Sequence, residues 1–396
     1  MMNDSVLSQL DATLREIEES GLLKVEQPIV TPQGSVVETA EGELITLCAN
    51  NYLGLANHPD VVAAATRTLQ ERGFGMASVR FIIGTQDIHK QLEREITELL
   101  GTEDTILFPS CFDANGAIFE TLLGADDTVV SDELNHASII DGIRLSKAKR
   151  LRYRNRDMDD LRTQLESATP GGRTLVVTDG VFSMDGYIAP LPELCDAAEA
   201  AGAMVMVDDS HAVGFMGDTG AGTPEHFGVG DRVDIITGTL GKALGGGSGG
   251  YVSGRASIVA LLRQRGRPYL FSNSIPPAIV GGSLEALAQV RSGADARARL
   301  RANAALFREL MSAAGFDLLA GEHPIIPVMI REARDAAAMA QALRRRGVYV
   351  TAFSYPVVPM GLARLRVQVS AAHTEQQLRR AVDAFIAARD DISGNS

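Results

Sequence analysis

Lys242 stands in the run Thr239-Leu240-Gly241-Lys242-Ala243-Leu244-Gly245-Gly246-Gly247, whose small residues leave room beside it for a flat cofactor. A lysine so placed can form a Schiff base with an aldehyde. Upstream, the apolar run Met204-Val205-Met206-Val207 ends abruptly in Asp208-Asp209-Ser210-His211. Pyridoxal phosphate chemistry needs this pairing. The lysine holds the aldehyde, and a carboxylate keeps the ring nitrogen protonated so that the ring acts as an electron sink.

Of two other readings of the glycine run, one fails and one lacks its expected context. A phosphate-cradling P-loop needs a glycine at position 236 and a Ser or Thr after the lysine, where the chain has Ile236 and Ala243. Gly246-Gly247-Ser248-Gly249-Gly250 fits the G-x-S-x-G pattern of a nucleophile elbow. That motif needs a strand before the serine and a helix after it, and Tyr251-Val252-Ser253 reads as a strand.

The elements that must position these groups are legible in the hydrophobic pattern. Val6, Leu10, Leu14 and Ile17 recur at helical spacing behind the capping candidates Asp4 and Ser5, so the chain opens with an amphipathic helix. A short strand follows at 44–47. Apolar runs at 105–108, 128–130, 175–177, 204–207 and 233–236 read as buried strands. Helices alternate with them, among them 88–100 and 191–201, each ending at a glycine. This alternation predicts an α/β fold with a mostly parallel central sheet covered by helices. Beyond Pro276-Pro277 the texture changes to alanine-rich helices at 278–291 and 295–314, and to strands at 325–329, 348–350 and 365–367. The expected division is an N-terminal helix and linker (1–48), a large cofactor-binding domain (49–276) and a smaller C-terminal α+β domain (277–396).

With 396 residues, 45% of them hydrophobic and 22% charged, the composition is that of a globular protein with a large core. The net charge of -13 argues against nucleic acid or an anionic membrane surface as partner. Cys48, Cys111 and Cys195 are odd in number, far apart and without metal-ligand spacing, which predicts reduced thiols and no metal site. The first residues lack the basic start and apolar stretch of a signal peptide, and no window reaches transmembrane length. The expected location is the cytoplasm.

In open α/β sheets, ligands bind at the carboxyl ends of the strands. Asp208 and His211 follow the 204–207 strand, Thr239 and Lys242 follow 233–236, and Ser183 follows 175–177. Cys111 and Phe112 begin a helix after Phe108-Pro109-Ser110, where free N–H groups can hold a phosphate.

The chain resembles the α-oxoamine synthases, fold type I pyridoxal phosphate enzymes that condense an amino acid with an acyl-CoA. The resemblance runs from about Leu47 to Thr374. It is carried by Cys48-Ala-Asn-Asn-Tyr-Leu-Gly54, Phe74-Gly-Met-Ala-Ser-Val-Arg-Phe81, Gly84-Thr-Gln86, Ser110-Cys-Phe-Asp-Ala-Asn-Gly116, Asn135-His-Ala-Ser-Ile-Ile-Asp-Gly142, Asp179-Gly-Val-Phe-Ser-Met-Asp-Gly186, Asp208-Asp-Ser-His211 and Thr239-Leu-Gly-Lys242. The second and fourth of these motifs point to the branch that joins glycine to acetyl-CoA, a transferase of threonine breakdown.

The resemblance implies a role for each position. Lys242 would hold the cofactor and later act as general base. Asp208 would pair with the ring nitrogen, His211 with the ring hydroxyl helped by Ser183, and His136 would stack on the ring. Cys111, Phe112, Thr239 and the pair Ser272-Asn273 would hold the phosphate, the last two supplied by the second subunit of a homodimer with shared active sites. Arg366, assisted by Asn50, would clamp the substrate carboxylate. A threonine dehydrogenase would be its metabolic partner. For the nucleotide of CoA the basic candidates are Lys147, Lys149, Arg150, Arg152, Arg154 and Arg156, with Arg263-Gln264-Arg265-Gly266-Arg267 as a second stretch. Sister synthases making 7-keto-8-aminopelargonate or 5-aminolevulinate, a threonine aldolase, and a non-catalytic scaffold remain alternatives.

Overall fold

The computed structural model describes residues 4–20 and 23–393. Strands β1 (Val36–Thr39) and β2 (Gly42–Thr46) form an antiparallel pair near the start. Seven strands then build the main sheet: β3 (Asp104–Phe108), β4 (Thr128–Asp132), β5 (Lys149–Tyr153), β6 (Thr174–Asp179), β7 (Met204–Asp208), β8 (Ile235–Thr239) and β9 (Gly250–Gly254). Their order is β3-β9-β8-β7-β6-β4-β5, with only β9 antiparallel to its neighbours. Parallel strands joined by helical crossovers are covered on both faces, so β6 is buried at all six positions.

The parallel direction brings the carboxyl ends of β6, β7 and β8 to one edge, and the candidate residues with them. β8 begins two residues later than the apolar run at 233–236 suggests. Val233 and Asp234 precede it, and Asp234 uses its carboxylate to accept from Val205 N at 2.9 Å. β5 went unread in the hydrophobic pattern because Lys149-Arg150-Leu151-Arg152-Tyr153 looks like a charge run. It is the terminal strand of the sheet, where exposed Lys and Arg discourage pairing with other chains.

The expected helices at 88–100 and 191–201 are Asp87–Leu100 and Leu191–Ala200. The first helix spans Asp4–Glu19; the side chains of its expected caps, Asp4 and Ser5, lie outside the described residues.

The smaller unit holds β10 (Ile325–Arg331), β11 (Val348–Tyr349), β12 (Thr351–Phe353) and β13 (Ala363–Gln368), with the antiparallel order β10-β13-β12. β11 instead pairs in parallel with β2. The segment expected to be a linker therefore supplies strands to the C-terminal unit, and Ile45 and Leu47 pack in its core with Val328, Leu365 and Phe385. Conversely, helix Pro277–Ser292 places Val280, Ala286, Leu287 and Val290 in the core of the large unit. Leu300 belongs to the large unit's core and Ala304 to the smaller one's, while Ile325 and Ala371 from the C-terminal unit return to the large core.

Candidate active site

The carboxyl edge of the sheet encloses a pocket of about 230 Å³ lined by Cys111, Phe112, His136, Ser183, Asp208, His211, Thr239 and Lys242, among others. Eight of the positions singled out in the sequence therefore converge. A larger cavity of about 630 Å³ lies between Phe215, Leu300 and Arg308, but no lysine, cysteine, serine or threonine lines it. Size alone does not select the site; nucleophile and base chemistry do.

Lys242 sits in the loop after β8, which turns back through Gly245 (φ 103) and Gly246 (φ 72), a backbone region closed to most side chains. Among the described residues its ammonium has no hydrogen bond or ion pair within reach. Burial pushes its pKa down, with the nearby Asp208 charge acting in the opposite sense. Glycine at 250 is equally forced: a Cβ there would stand 2.2 Å from Cys111 N, so a side chain would lift the phosphate-side helix off the sheet.

Asp208 is held from both sides. Its Oδ2 accepts from Asn115 Nδ2 at 2.7 Å and its Oδ1 from Ser210 N at 3.0 Å, with the Cys111 thiol 3.7 Å away. Asn115 lies one helical turn after Cys111, so both reach the same strand end. Asn115 Nδ2 also donates to Ser138 Oγ at 2.8 Å. Ser138 in turn lies 2.7 Å from His136 Nδ1, which also accepts from Ser138 N at 3.3 Å. His136 therefore caps its helix and lines the pocket at once, and burial lowers its pKa.

His211 is buried, with Tyr52 Oη 2.8 Å from its Nδ1, and burial followed by the Lys242 charge drives its pKa well down. Arg366 projects from β13 and donates to Ser183 O at 3.2 Å and to Gln368 Oε1 at 3.4 Å, its plane 4.7 Å above the Phe353 ring. Among the described residues no carboxylate pairs with it and its Nε is buried without a partner, and burial lowers its pKa. Asn50 Oδ1 accepts from Gln368 Nε2, so Asn50 and Arg366 share one glutamine.

Ser272 and Asn273 do not join this group. They line a separate small recess with Arg80, Pro109 and Tyr269. Of the basic residues weighed for a nucleotide, Arg263 is committed to Glu93 at 3.1 Å and to Thr105 O at 2.6 Å. Arg154 is committed to Asp157 at 2.7 Å. Arg156 stacks 4.1 Å over Tyr187 and has no carboxylate partner among the described residues.

Sequence reading missed Asn115, Asp179, Tyr52 and Gln368 as site residues. Asn115 had a local signal, its four-residue spacing from Cys111. Tyr52 and Gln368 meet His211 and Arg366 only through tertiary packing. Among the described residues no group of His, Cys, Asp and Glu is arranged to hold a metal ion, and no helix is long and apolar enough to cross a membrane.

The site fits pyridoxal phosphate. Asp208 is oriented by two donors toward a pocket that also holds a free lysine, as a protonated ring nitrogen and an aldehyde require. Helix Cys111–Leu122 points its N-terminus into the same space, where first-turn N–H groups without intrahelical partners suit a phosphate.

Comparison with known proteins agrees with the geometry. The sequence matches the family "Aminotransferase class I and II" over residues 42–385. It is 57% identical to the 2-amino-3-ketobutyrate coenzyme A ligase of Escherichia coli (strain K12) over 387 residues, 97% of each chain. It is 52% identical to the mitochondrial 2-amino-3-ketobutyrate coenzyme A ligase of Homo sapiens over 379 residues, 95% of this chain and 90% of that one. The fold superposes with a TM-score of 0.92 on a serine palmitoyltransferase from S. paucimobilis with bound PLP, at 31% identity and covering 99% of this chain and all of that one. The mostly parallel sheet, the smaller C-terminal unit and the lysine pocket are those of a fold type I pyridoxal phosphate enzyme, and the chain belongs to the aminotransferase class I and II family.

Proposed function

We propose that the chain catalyses the reversible condensation of glycine with acetyl-CoA to 2-amino-3-oxobutanoate and CoA, using pyridoxal 5'-phosphate. The observation that carries this reading is the pocket shared by Lys242 and Asp208 in a chain 57% identical to a 2-amino-3-ketobutyrate coenzyme A ligase. The bound cofactor supplies an electron sink that makes the glycine Cα–H acidic.

The side chains then divide the work. Lys242, its pKa lowered by burial, is suited to take the Cα proton and return it. Arg366, without a carboxylate of its own, offers a planar fork for the substrate carboxylate, with Asn50 beside it. His136 accepts the Ser138 N–H on Nδ1, so its proton sits on Nε2 and can stabilise the oxyanion formed on the acetyl carbonyl. Asp208 secures the ring nitrogen, His211 and Ser183 the ring hydroxyl, and Cys111, Phe112 and Thr239 the phosphate. Arg156, exposed just beyond the carboxyl end of β5 and without a carboxylate partner among the described residues, is the basic residue best placed for the CoA phosphates.

A homodimer completes the phosphate site. Phe74, Ile82, Ile83 and Phe271 are exposed, 87%, 67%, 76% and 72% respectively, more apolar surface than a monomer normally leaves in water. Ser274, stitched to Ser78 O and Gly84 O, joins these two segments next to Ser272-Asn273. A second copy seated there would cover them and carry Ser272-Asn273 to its neighbour's pocket. Three free thiols suit a reducing compartment such as the cytoplasm. A dehydrogenase that oxidises threonine would supply 2-amino-3-oxobutanoate for the reverse direction.

The test is a product assay with glycine and acetyl-, succinyl- or pimeloyl-CoA. The expected result is release of CoA with acetyl-CoA as the preferred donor, the product being 2-amino-3-oxobutanoate or the aminoketone that this β-keto acid becomes on spontaneous loss of carbon dioxide. Preferred use of either longer acyl group would assign the chain to a sister synthase.

A further inference from the structure

The buried side chains of Gln368, Tyr52 and His211 and the half-buried Arg366 form a hydrogen-bonded chain whose direction is forced from one end. Arginine can only donate, so the Gln368 atom facing Arg366 Nη2 must be the carbonyl oxygen Oε1. The Gln368 amide nitrogen then carries two hydrogens toward two acceptors, Asn50 Oδ1 and, at 3.1 Å, Tyr52 Oη. Tyr52 Oη thus receives a hydrogen from Gln368, and its own single proton is left for His211 Nδ1 at 2.8 Å. The opposite arrangement, with His211 Nδ1–H donating to Tyr52, would aim the phenol proton at an NH2 group. Tyr52 and Gln368 are 0% and 1% exposed, so water cannot relieve such a clash of donors.

We infer that Gln368 and Tyr52 are positioning residues that set the tautomer of His211, keeping its proton on Nε2, the ring atom left for the pocket. Nε2 has no partner among the described residues, and His211 lines the pocket. Burial keeps both partners in the required state, opposed at Tyr52 by Gln368 and Arg366 and helped at His211 by the Lys242 charge. Burial raises the Tyr52 phenol above its ordinary pKa and drives His211 well below its own, so the phenol keeps its proton and the imidazole stays neutral. The His211 backbone is fixed as well: His323 Nδ1 accepts from Ile325 N at 3.0 Å, so its Nε2–H donates to His211 O at 2.8 Å. Because Gln368 also touches Asn50 and Arg366, the groups proposed for the substrate carboxylate and the histidine proposed for the ring hydroxyl share one hydrogen-bond network. This last link rests on the proposed function; the tautomer assignment does not.

The inference predicts a reversal. In Gln368→Glu the carboxylate can only accept, so it still pairs with Arg366 but now draws the Tyr52 proton toward itself. The Tyr52 oxygen then accepts from His211, whose proton moves to Nδ1 and leaves Nε2 as an acceptor facing the pocket. The experiment is 15N NMR of the full-length protein labelled with 15N-histidine, with and without cofactor, the His211 signals being assigned by their loss in His211→Asn. Wild type should show Nδ1 at an unprotonated shift and Nε2 at a protonated one, and Gln368→Glu should exchange the two. Tyr52→Phe, which removes only the hydroxyl, should shift Nδ1 away from its wild-type position even if the glutamate variant does not fold. A protonated Nδ1 in wild type, or His211 shifts unchanged in Tyr52→Phe, would overturn the inference. If the tautomer reverses while the visible absorption of the cofactor-loaded protein stays put, the relay stands and the role of His211 at the ring hydroxyl falls.

Discussion

Asp179 and Asp208 end neighbouring strands in register, and both face the pocket that holds Lys242. The two carboxylates side by side in a buried space differ in the donors they are given. The surroundings separate them. Asp208 receives the side-chain donor Asn115 and the Ser210 N–H. Among the described residues the Asp179 carboxylate accepts only the His136 N–H and keeps Oδ1 without a partner, and its pKa is raised well above the usual range by burial and then by the Asp208 charge.

This asymmetry predicts that Asp208→Asn folds but loses turnover by about a hundredfold or more, the size of a lost electrostatic anchor for developing charge. Asp179→Asn, which keeps an acceptor for His136 N, should retain activity within about tenfold, a difference of about 1.4 kcal/mol. Steady-state kinetics on the two variants, with folding checked by circular dichroism, tests the division. Equal losses would show that the donors around Asp208 do not set its role.

Lys242 is expected to carry the cofactor. Borohydride treatment of the loaded protein should attach the pyridoxyl group to this residue alone, as read by peptide mass mapping. Lys242→Ala should remain folded, because its ammonium makes no hydrogen bond or ion pair among the described residues whose loss would strand a buried partner. A label on any other lysine would remove the assignment.

Much of this site is visible in the primary structure because its parts sit at strand ends. The apolar run before Asp208 and the glycines around Lys242 are local features, and parallel topology does the rest by bringing β7 and β8 to one edge. β5 was hidden because an edge strand shows only one half-buried and one buried residue, Leu151 and Tyr153, between exposed cations. The exchange of β2 into the C-terminal unit was hidden for another reason: pairing with β11 spans about 300 residues and leaves no periodic trace. Gln368 and Tyr52 belong to the same class, side chains whose role is set by what they meet.

Arg366→Lys should raise KM for glycine more than it lowers kcat. Lysine keeps the charge but loses the fork that donates to Ser183 O and Gln368 Oε1 and stacks on Phe353. A tenfold rise in KM, about 1.4 kcal/mol, is the expected scale. A variant with unchanged KM would show that the carboxylate binds elsewhere.

His373 predicts a distinct acid sensitivity of the fold. Its Nδ1 accepts from Ser370 N at 2.9 Å and its Nε2–H donates to Thr46 O at 2.9 Å, tying the C-terminal unit to β2. Burial lowers its pKa from 6.5 to about 4. The neutral form is favoured in the folded state, so this stabilisation is complete above pH 6.5 and is lost as pH falls toward 4. Between pH 7 and pH 5 the expected loss is about 2 kcal/mol. Urea unfolding at the two pH values should show it, and His373→Gln, which cannot titrate, should lose that part of the slope.

Mixing two inactive variants distinguishes a shared site from a self-contained one. If Ser272 and Asn273 serve the neighbouring pocket, a heterodimer of Lys242→Ala with Ser272→Ala has one pocket with both lesions and one with neither. If the pair served its own pocket, every site would carry one lesion and mixing would restore nothing. The structure favours the first arrangement, because Ser272 and Asn273 line a recess apart from Lys242, beside the exposed Phe271, Ile82 and Ile83. Co-expression with two affinity tags, followed by sequential purification, isolates the heterodimer. It should recover activity toward half that of wild type, while either homodimer stays near its own low level. No recovery in a heterodimer shown to be intact by sedimentation would place the phosphate contacts of each site within a single chain.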